Sequence, residues 1–306
     1  MNPGTFRAIG AGLLIVTGCS GAPEARRFLS IGTAGTGGVY YPLGGALASR
    51  LSNLDSTRTF TAEVTGGSVE NINRVLRGEI DIGFAISTSV HEAYEAGGGR
   101  LRVIAPLYPN LTHVLVGARS GIASLEDARG RRVSVGSGGS GTEQVARHVL
   151  DAYGLDSTTY TTRFLSFSES AAALADGAID AAIFSVGFPA SAVLEATTTG
   201  AARLLAIDSA RAAALAQRYP YYQSGVIPAG AYPGLTTPLE TVAAMNWLVA
   251  RDDLDDDVVI TVLNVLRDDR DALQRSVEIA GQVDLSRLRH APIPLHEAAR
   301  EWLARQ

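Results

Sequence analysis

The chain has 306 residues, 46% of them hydrophobic and 19% charged, a composition that can bury a substantial core and excludes wholesale disorder. Its 26 basic residues are all arginine, and against 31 acids they leave a net charge of −5, without the basic excess of a nucleic-acid binder. One cysteine, Cys19, excludes a disulfide framework, a cysteine zinc site and a Cys-x-x-Cys redox pair.

Arg7 precedes an apolar stretch over 8–17, of secretory-signal length and too short to cross a bilayer. The stretch ends Val16-Thr17-Gly18-Cys19, which resembles a bacterial lipobox. The expectation is a lipoprotein signal over 1–18, lipid on Cys19, and a small polar tether over 19–27. Acyl chains would then hold the protein on a membrane, outside the cytoplasm, without a spanning segment.

Beyond the tether, apolar β-rich runs at 28–33, 60–64, 80–86, 101–107, 113–116, 132–135, 160–167, 181–186 and 204–207 alternate with helical patterns at 40–51, 69–77, 90–95, 141–152, 168–175, 190–196 and 211–219. This rhythm predicts an α/β protein with largely parallel sheets. From 242 onward the pattern reads as helical, through 242–250, 258–273 and 295–304. Two strand-to-helix turns are glycine-rich, and the pairs Gly78-Glu79-Ile80-Asp81 and Gly177-Ala178-Ile179-Asp180 repeat one helix-to-strand entry in both halves. Two α/β domains around a ligand cleft follow, the first from 28–112 and 210–306, the second from 113–209.

Gly136-Ser137-Gly138-Gly139-Ser140-Gly141 has the Gly-x-Gly-x-x-Gly form, but the acid that should close the next strand of a dinucleotide site is missing, and no cofactor is expected. Glycine turns at helix N-termini still expose amides that suit an anion. Gly35-Thr36-Gly37-Gly38-Val39-Tyr40 repeats that chemistry at the first strand. Ser68 reads as a helix N-cap with Asn71 at its third position, and Ser87 ends the third strand, at the carboxyl edge where open α/β sheets bind ligands. Neither a nucleophile elbow nor a metal-spaced histidine pair occurs, so neither catalysis nor a metal is expected. The run Asp252, Asp253, Asp255, Asp256 and Asp257 lacks the glycine and glutamate of an EF-hand loop and reads as the charged first turn of a helix.

The chain resembles the TAXI family, the solute-binding proteins of one branch of the TRAP transporters. The likeness covers nearly all of 28–280. It rests on Ile31-Gly32-Thr33-Ala34-Gly35-Thr36-Gly37-Gly38-Val39-Tyr40-Tyr41-Pro42, Gly67-Ser68-Val69-Glu70-Asn71-Ile72, Leu107-Tyr108-Pro109 with His113, Val133-Ser134-Val135-Gly136 leading to Gly141-Thr142-Glu143, and Ile227-Pro228-Ala229-Gly230 with Tyr232-Pro233-Gly234. The resemblance implies a type II periplasmic-binding-protein fold that closes on a small carboxylate such as glutamate or 2-oxoglutarate and delivers it to a TRAP permease. It also implies a pocket of Gly38, Val39, Tyr40, Ser68 and Ser87, faced by Ser137, Ser140, Gly141, Thr142, Phe184, Ser185 and Phe188. Ile86-Ser87-Thr88 and Gly187-Phe188-Pro189 stand where the family often has Gln-Ser-Asp and Gly-Tyr-Pro, which points to a less polar acid. The same fold also serves ABC importers of the nitrate, sulfonate or thiamine-precursor type, and a lipid-anchored ligand sensor is a third reading.

Overall fold

A computed structural model describes Met1 and residues 26–306; the lipobox and Cys19 lie outside the described residues. The first series of elements is β1 (Arg27–Gly32), α1 (Tyr40–Leu54), β2 (Arg58–Glu63), α2 (Ser68–Arg77), β3 (Ile82–Ile86) and α3 (Ser87–Glu95). A long strand, β4 (Leu101–Gly117), leads into β5 (Arg132–Ser134), α4 (Gly141–Ala152), β6 (Thr161–Arg163), α5 (Phe167–Ala175), β7 (Ala181–Val186), α6 (Ser191–Thr198), β8 (Ala202–Leu205), α7 (Ser209–Arg218) and β9 (Tyr222–Ile227). A second long strand, β10 (Leu239–Arg251), returns the chain to α8 (Asp256–Asp268), α9 (Arg270–Ser276) and α10 (Glu297–Ala304).

The strands form one sheet in the order β2-β1-β3-β10-β4-β7-β5-β6, with β8 on β4 and β9 on β10. β1 pairs in parallel with β2 and β3, and β5 with β6 and β7, as the alternating pattern predicts. The two long strands are antiparallel and join the halves. β10 pairs with β9 through Leu239–Ala244 and with β3 through Asn246–Ala250, while β4 pairs with β10 as far as Leu111 and with β7 from Leu111 to Val116. The change of partner falls at Asn110 and Asn246. There the β10/β4 register shifts, Met245 facing Pro109 and Trp247 facing Pro106. Proline cannot donate to a ladder, and an irregular stretch is where a central strand tolerates it.

The Gly-x-Ile-Asp repeat has a physical cause. Asp81 accepts the Ser30 N–H at 2.8 Å and Asp180 the Arg132 N–H at 2.8 Å, so each aspartate hooks the strand entry to its neighbouring strand.

Two apolar clusters form the core. One gathers Leu29, Leu43, Phe84, Trp247 and Val262; the other gathers Val133, Val149 and Ile183. Ile207, Ala212, Leu215, Tyr222 and Val242 also belong to the second cluster, while Ile227 and Tyr232 belong to the first, so the chain over 207–242, which the sequence reading put in the first domain, packs into both clusters.

Residues 242–250 form a strand, not the expected helix. Every residue from Thr241 to Ala250 is buried, and a strand covered on both faces is a continuous apolar run without period-2 alternation. The expected strands 101–107 and 113–116 are one, and the helix expected over 258–273 breaks at Asp269 into α8 and α9. Asp256 and Asp257 do occupy the first turn of α8, and Asp252, Asp253 and Asp255 pair with Arg100 and Arg27.

Candidate ligand cleft

Four helices begin at the seam between the halves: α1 at Tyr40 and α2 at Ser68 on one side, α4 at Gly141 and α5 at Phe167 on the other. The first-turn N–H groups of a helix lack intrahelical acceptors, and the aligned peptide dipoles put partial positive charge there. The loops that deliver these ends are braced by carboxylates on the helices themselves. Glu70 accepts from Gly66 N–H at 2.7 Å, Glu143 from Gly139 N–H at 2.8 Å, and Glu169 from Ser166 N–H at 2.8 Å. Ser140 and Ser166 cap their helices by accepting from Glu143 N–H and Glu169 N–H at 3.1 and 3.3 Å, and both residues line the cleft.

The four ends surround a cavity of about 60 Å³, room for on the order of five water-sized groups. Among the described residues its wall holds no arginine, histidine, aspartate or glutamate. Tyr40 is the titratable group, and burial pushes its phenol well above the ordinary value, with Ser68 and Asn110 hydrogen bonds pulling the other way. The Tyr40 hydroxyl donates to Asn246 Oδ1. Asn246 in turn donates to Tyr108 O at 2.9 Å and to Asn110 Oδ1 at 2.7 Å, and Asn110 donates to Ser185 O at 2.9 Å. The cleft floor is thus one hydrogen-bonded chain lying across the point where both long strands change partners.

The halves touch over the cavity on both sides. Gly37 O accepts from Ala192 N–H at 3.3 Å and from Ser191 Oγ at 3.1 Å, and Gly139 O accepts from Glu70 N–H at 3.3 Å. This is a closed arrangement.

Of the residues expected at the pocket, Gly38, Val39, Tyr40, Ser68, Ser137, Ser140, Gly141, Thr142 and Ser185 line this cavity. Three do not. Ser87 opens α3 and turns the other way, donating to Met245 O at 2.8 Å and accepting from Trp247 Nε1 at 2.9 Å. Phe184 is fully buried against Phe167, ring centroids 4.6 Å apart, and it is Phe167 that reaches the cavity. Phe188 packs on the core. Ser68 is the first residue of α2 and not its cap; Gly67, at φ 117°, holds the cap position, and Ser68 Oγ accepts from Ile86 N–H at 3.1 Å. Asn71 also does something other than cap, tying Gly32 O, Thr33 O and Phe84 O together from a fully buried amide.

Asn110, Ser166 and Phe167 were missed. Ser166 had a signal, since Ser166-Phe167-Ser168-Glu169 is a capping box and marks a helix start. Asn110 had none, because a register between strands more than a hundred residues apart brings it to the site.

This architecture is that of the periplasmic binding proteins. An alkanesulfonate-binding protein, SsuA, from Xanthomonas axonopodis pv. citri, solved with MOPS, superposes at TM-score 0.52 with 20% identity over 88% of this chain and 84% of that one. PhnD1 from Prochlorococcus marinus, solved with methylphosphonate, gives TM-score 0.59 and 12% identity over 91% and 96%. MatC from Rhodopseudomonas palustris, solved with malate, gives 0.58 and 14% over 91% and 97%. The chain belongs to the NMT1-like family, whose model matches residues 31–304.

Proposed function

We propose that this protein is an extracytoplasmic solute-binding protein, anchored through lipid on Cys19, that closes on a small organic monoanion and hands it to a membrane permease. The observation that carries this reading is the convergence of four helix N-termini and several hydroxyls on a chamber of about 60 Å³ that, among the described residues, has no side-chain counter-charge. Amide dipoles can hold one negative charge in that setting. An ammonium group would find no carboxylate there, and an unpaired buried charge is costly, which disfavours glutamate and favours a short sulfonate or a monocarboxylate. Gly38, Val39, Tyr40, Ser68, Ser137, Ser140, Gly141, Thr142 and Ser185 are the proposed contacts.

In this reading one lobe runs from 28 to 110 and resumes at 246, and the other takes the chain between, so that Asn110 and Asn246 mark the hinge. An ABC-type importer is preferred over a TRAP permease as the partner, because an alkanesulfonate binder and a protein solved with methylphosphonate share the fold.

Thermal-shift and calorimetric screening with methanesulfonate, butanoate, 2-oxobutanoate, 2-oxoglutarate and glutamate tests the ligand class. The short monoanions are expected to raise the melting temperature; glutamate as the strongest stabiliser, or no response to any of them, would overturn it. Uptake of the cognate anion that follows cellular ATP and not an imposed ion gradient would support the ABC partner, and the reverse would restore the TRAP one.

A further inference from the structure

β10 has two faces at the crossover. Asn246 points to the cleft floor, and its neighbours Met245 and Trp247 lie on the opposite side, as side chains alternate along a strand. There they close the floor of a second recess, of about 290 Å³, near the lower end of the range of about 300–1,000 Å³ typical of small-molecule sites. Trp247 is held by its bond to Ser87.

The recess is walled by both halves: His91 comes from α3, Tyr221 from the turn just before β9, and Arg287 and His290 from the turn Leu285–His290. His91 and Tyr221 lie ring against ring, 5.6 Å between centroids. The chemistry is one-sided. An apolar, aromatic floor faces a guanidinium and two imidazoles, and among the described residues no carboxylate lines the recess. Two carboxylates stand behind the lining. Glu92 accepts from Gln144 at 2.6 Å and is hydrogen-bonded to Tyr221, and Asp284 stands 3.5 Å from Arg287 Nε with both side chains substantially exposed.

We propose that this recess is a second ligand site, separate from the cleft, for a small aromatic carboxylate, with the ring against Trp247, Met245 and Tyr221 and the carboxylate at Arg287 and His290. A guanidinium recognises a carboxylate through paired N–H donors, and the flat floor suits a ring. Because both halves wall the recess, its shape changes with the angle between them, so its occupant and that of the cleft influence one another.

The test uses benzoate as probe and the purified protein, by calorimetry and saturation-transfer NMR. Benzoate is expected to bind at millimolar concentration or below, with affinity reduced about tenfold in Arg287→Glu, reduced in His290→Glu, and retained in the cleft variant Thr142→Val. Both recess variants alter a surface turn, and unchanged melting curves for them would assign the loss to the site. No binding by the unaltered protein, equal binding by Arg287→Glu and His290→Glu, or loss in Thr142→Val would each overturn the proposal.

Discussion

Gly141 offers a direct test of closure. It is the first residue of α4, and an added Cβ would stand 2.5 Å from Ile86 Cγ2 and 2.8 Å from Ser68 Oγ, where ordinary contact begins at 3.4 Å. Its φ lies outside the left-handed region, so alanine fits the local backbone. Ile86 and Ser68 belong to the opposite half and are pinned to each other by the Ile86 N–H to Ser68 Oγ bond. The overlap of about 0.9 Å, the difference of 3.4 and 2.5 Å, must therefore be relieved by parting the halves. Overpacking of this kind costs about 1–3 kcal/mol, and only the closed state bears it. Gly141→Ala is thus expected to weaken binding of the cleft anion by about 5- to 150-fold. Calorimetry gives the affinity and small-angle scattering the compaction on binding. An unchanged dissociation constant with unchanged compaction would refute the closed geometry described here.

Tyr40→Phe removes the donor to Asn246 Oδ1 and leaves a buried acceptor unpaired, so a loss of about 1–3 kcal/mol is expected in urea unfolding; no loss would mean the floor network contributes nothing. His113 is fully buried, with Nδ1 bonded to Leu111 O at 3.0 Å and Nε2 to the Tyr232 hydroxyl at 3.1 Å, and burial lowers its pKa from 6.5 to about 4. The unfolded chain binds a proton there first, so stability is lost as pH falls from about 6.5 toward 4, by up to about 1.4 kcal/mol per pH unit. His113→Gln should show a shallower fall in urea midpoint between pH 7 and about pH 5 than the unaltered protein, and parallel curves would contradict this. Trp302 packs α10 onto α8 and donates to Asn264 Oδ1 at 2.9 Å. Trp302→Ala should cost about 3 kcal/mol of unfolding free energy, read by calorimetric or urea melting.

Local chemistry was legible and long-range register was not. α4 starts at Gly141 and ends at Ala152 as expected, because Ser140 and Glu143 write its N-terminus into the sequence. β7 over Ala181–Val186 also matches, bounded by the Asp180 hook and Gly187. By contrast, β10 carried helix-like composition around Ala243, Ala244 and Met245, and only its partners β3, β4 and β9 make it a strand. The same cause hid Asn110 and misplaced Ser87. Glycine turns announced two of the helix ends and a capping serine a third, yet the turning of Ser87 away from the cleft depends on Trp247 and Met245, residues 160 and 158 positions along the chain. The substitution of Phe167 for Phe184 at the cavity wall likewise depends on which ring lies outermost in a stacked pair.

The two long strands also impose an order on how the molecule can be made. Apart from Ile86, the second cluster is drawn from one stretch of chain, Val114 to Ala244, whereas β3, already beside β1, acquires its second neighbour only when Asn246–Ala250 arrive. A chain emerging from its N-terminus first therefore holds β3, every residue of which is buried in the finished fold, at an open sheet edge through more than half of its synthesis. Exposed apolar edges are templates for unwanted pairing. The late return of β10 thus creates an interval in biogenesis when β3 lacks one of its two neighbours and is most in need of being kept from other chains.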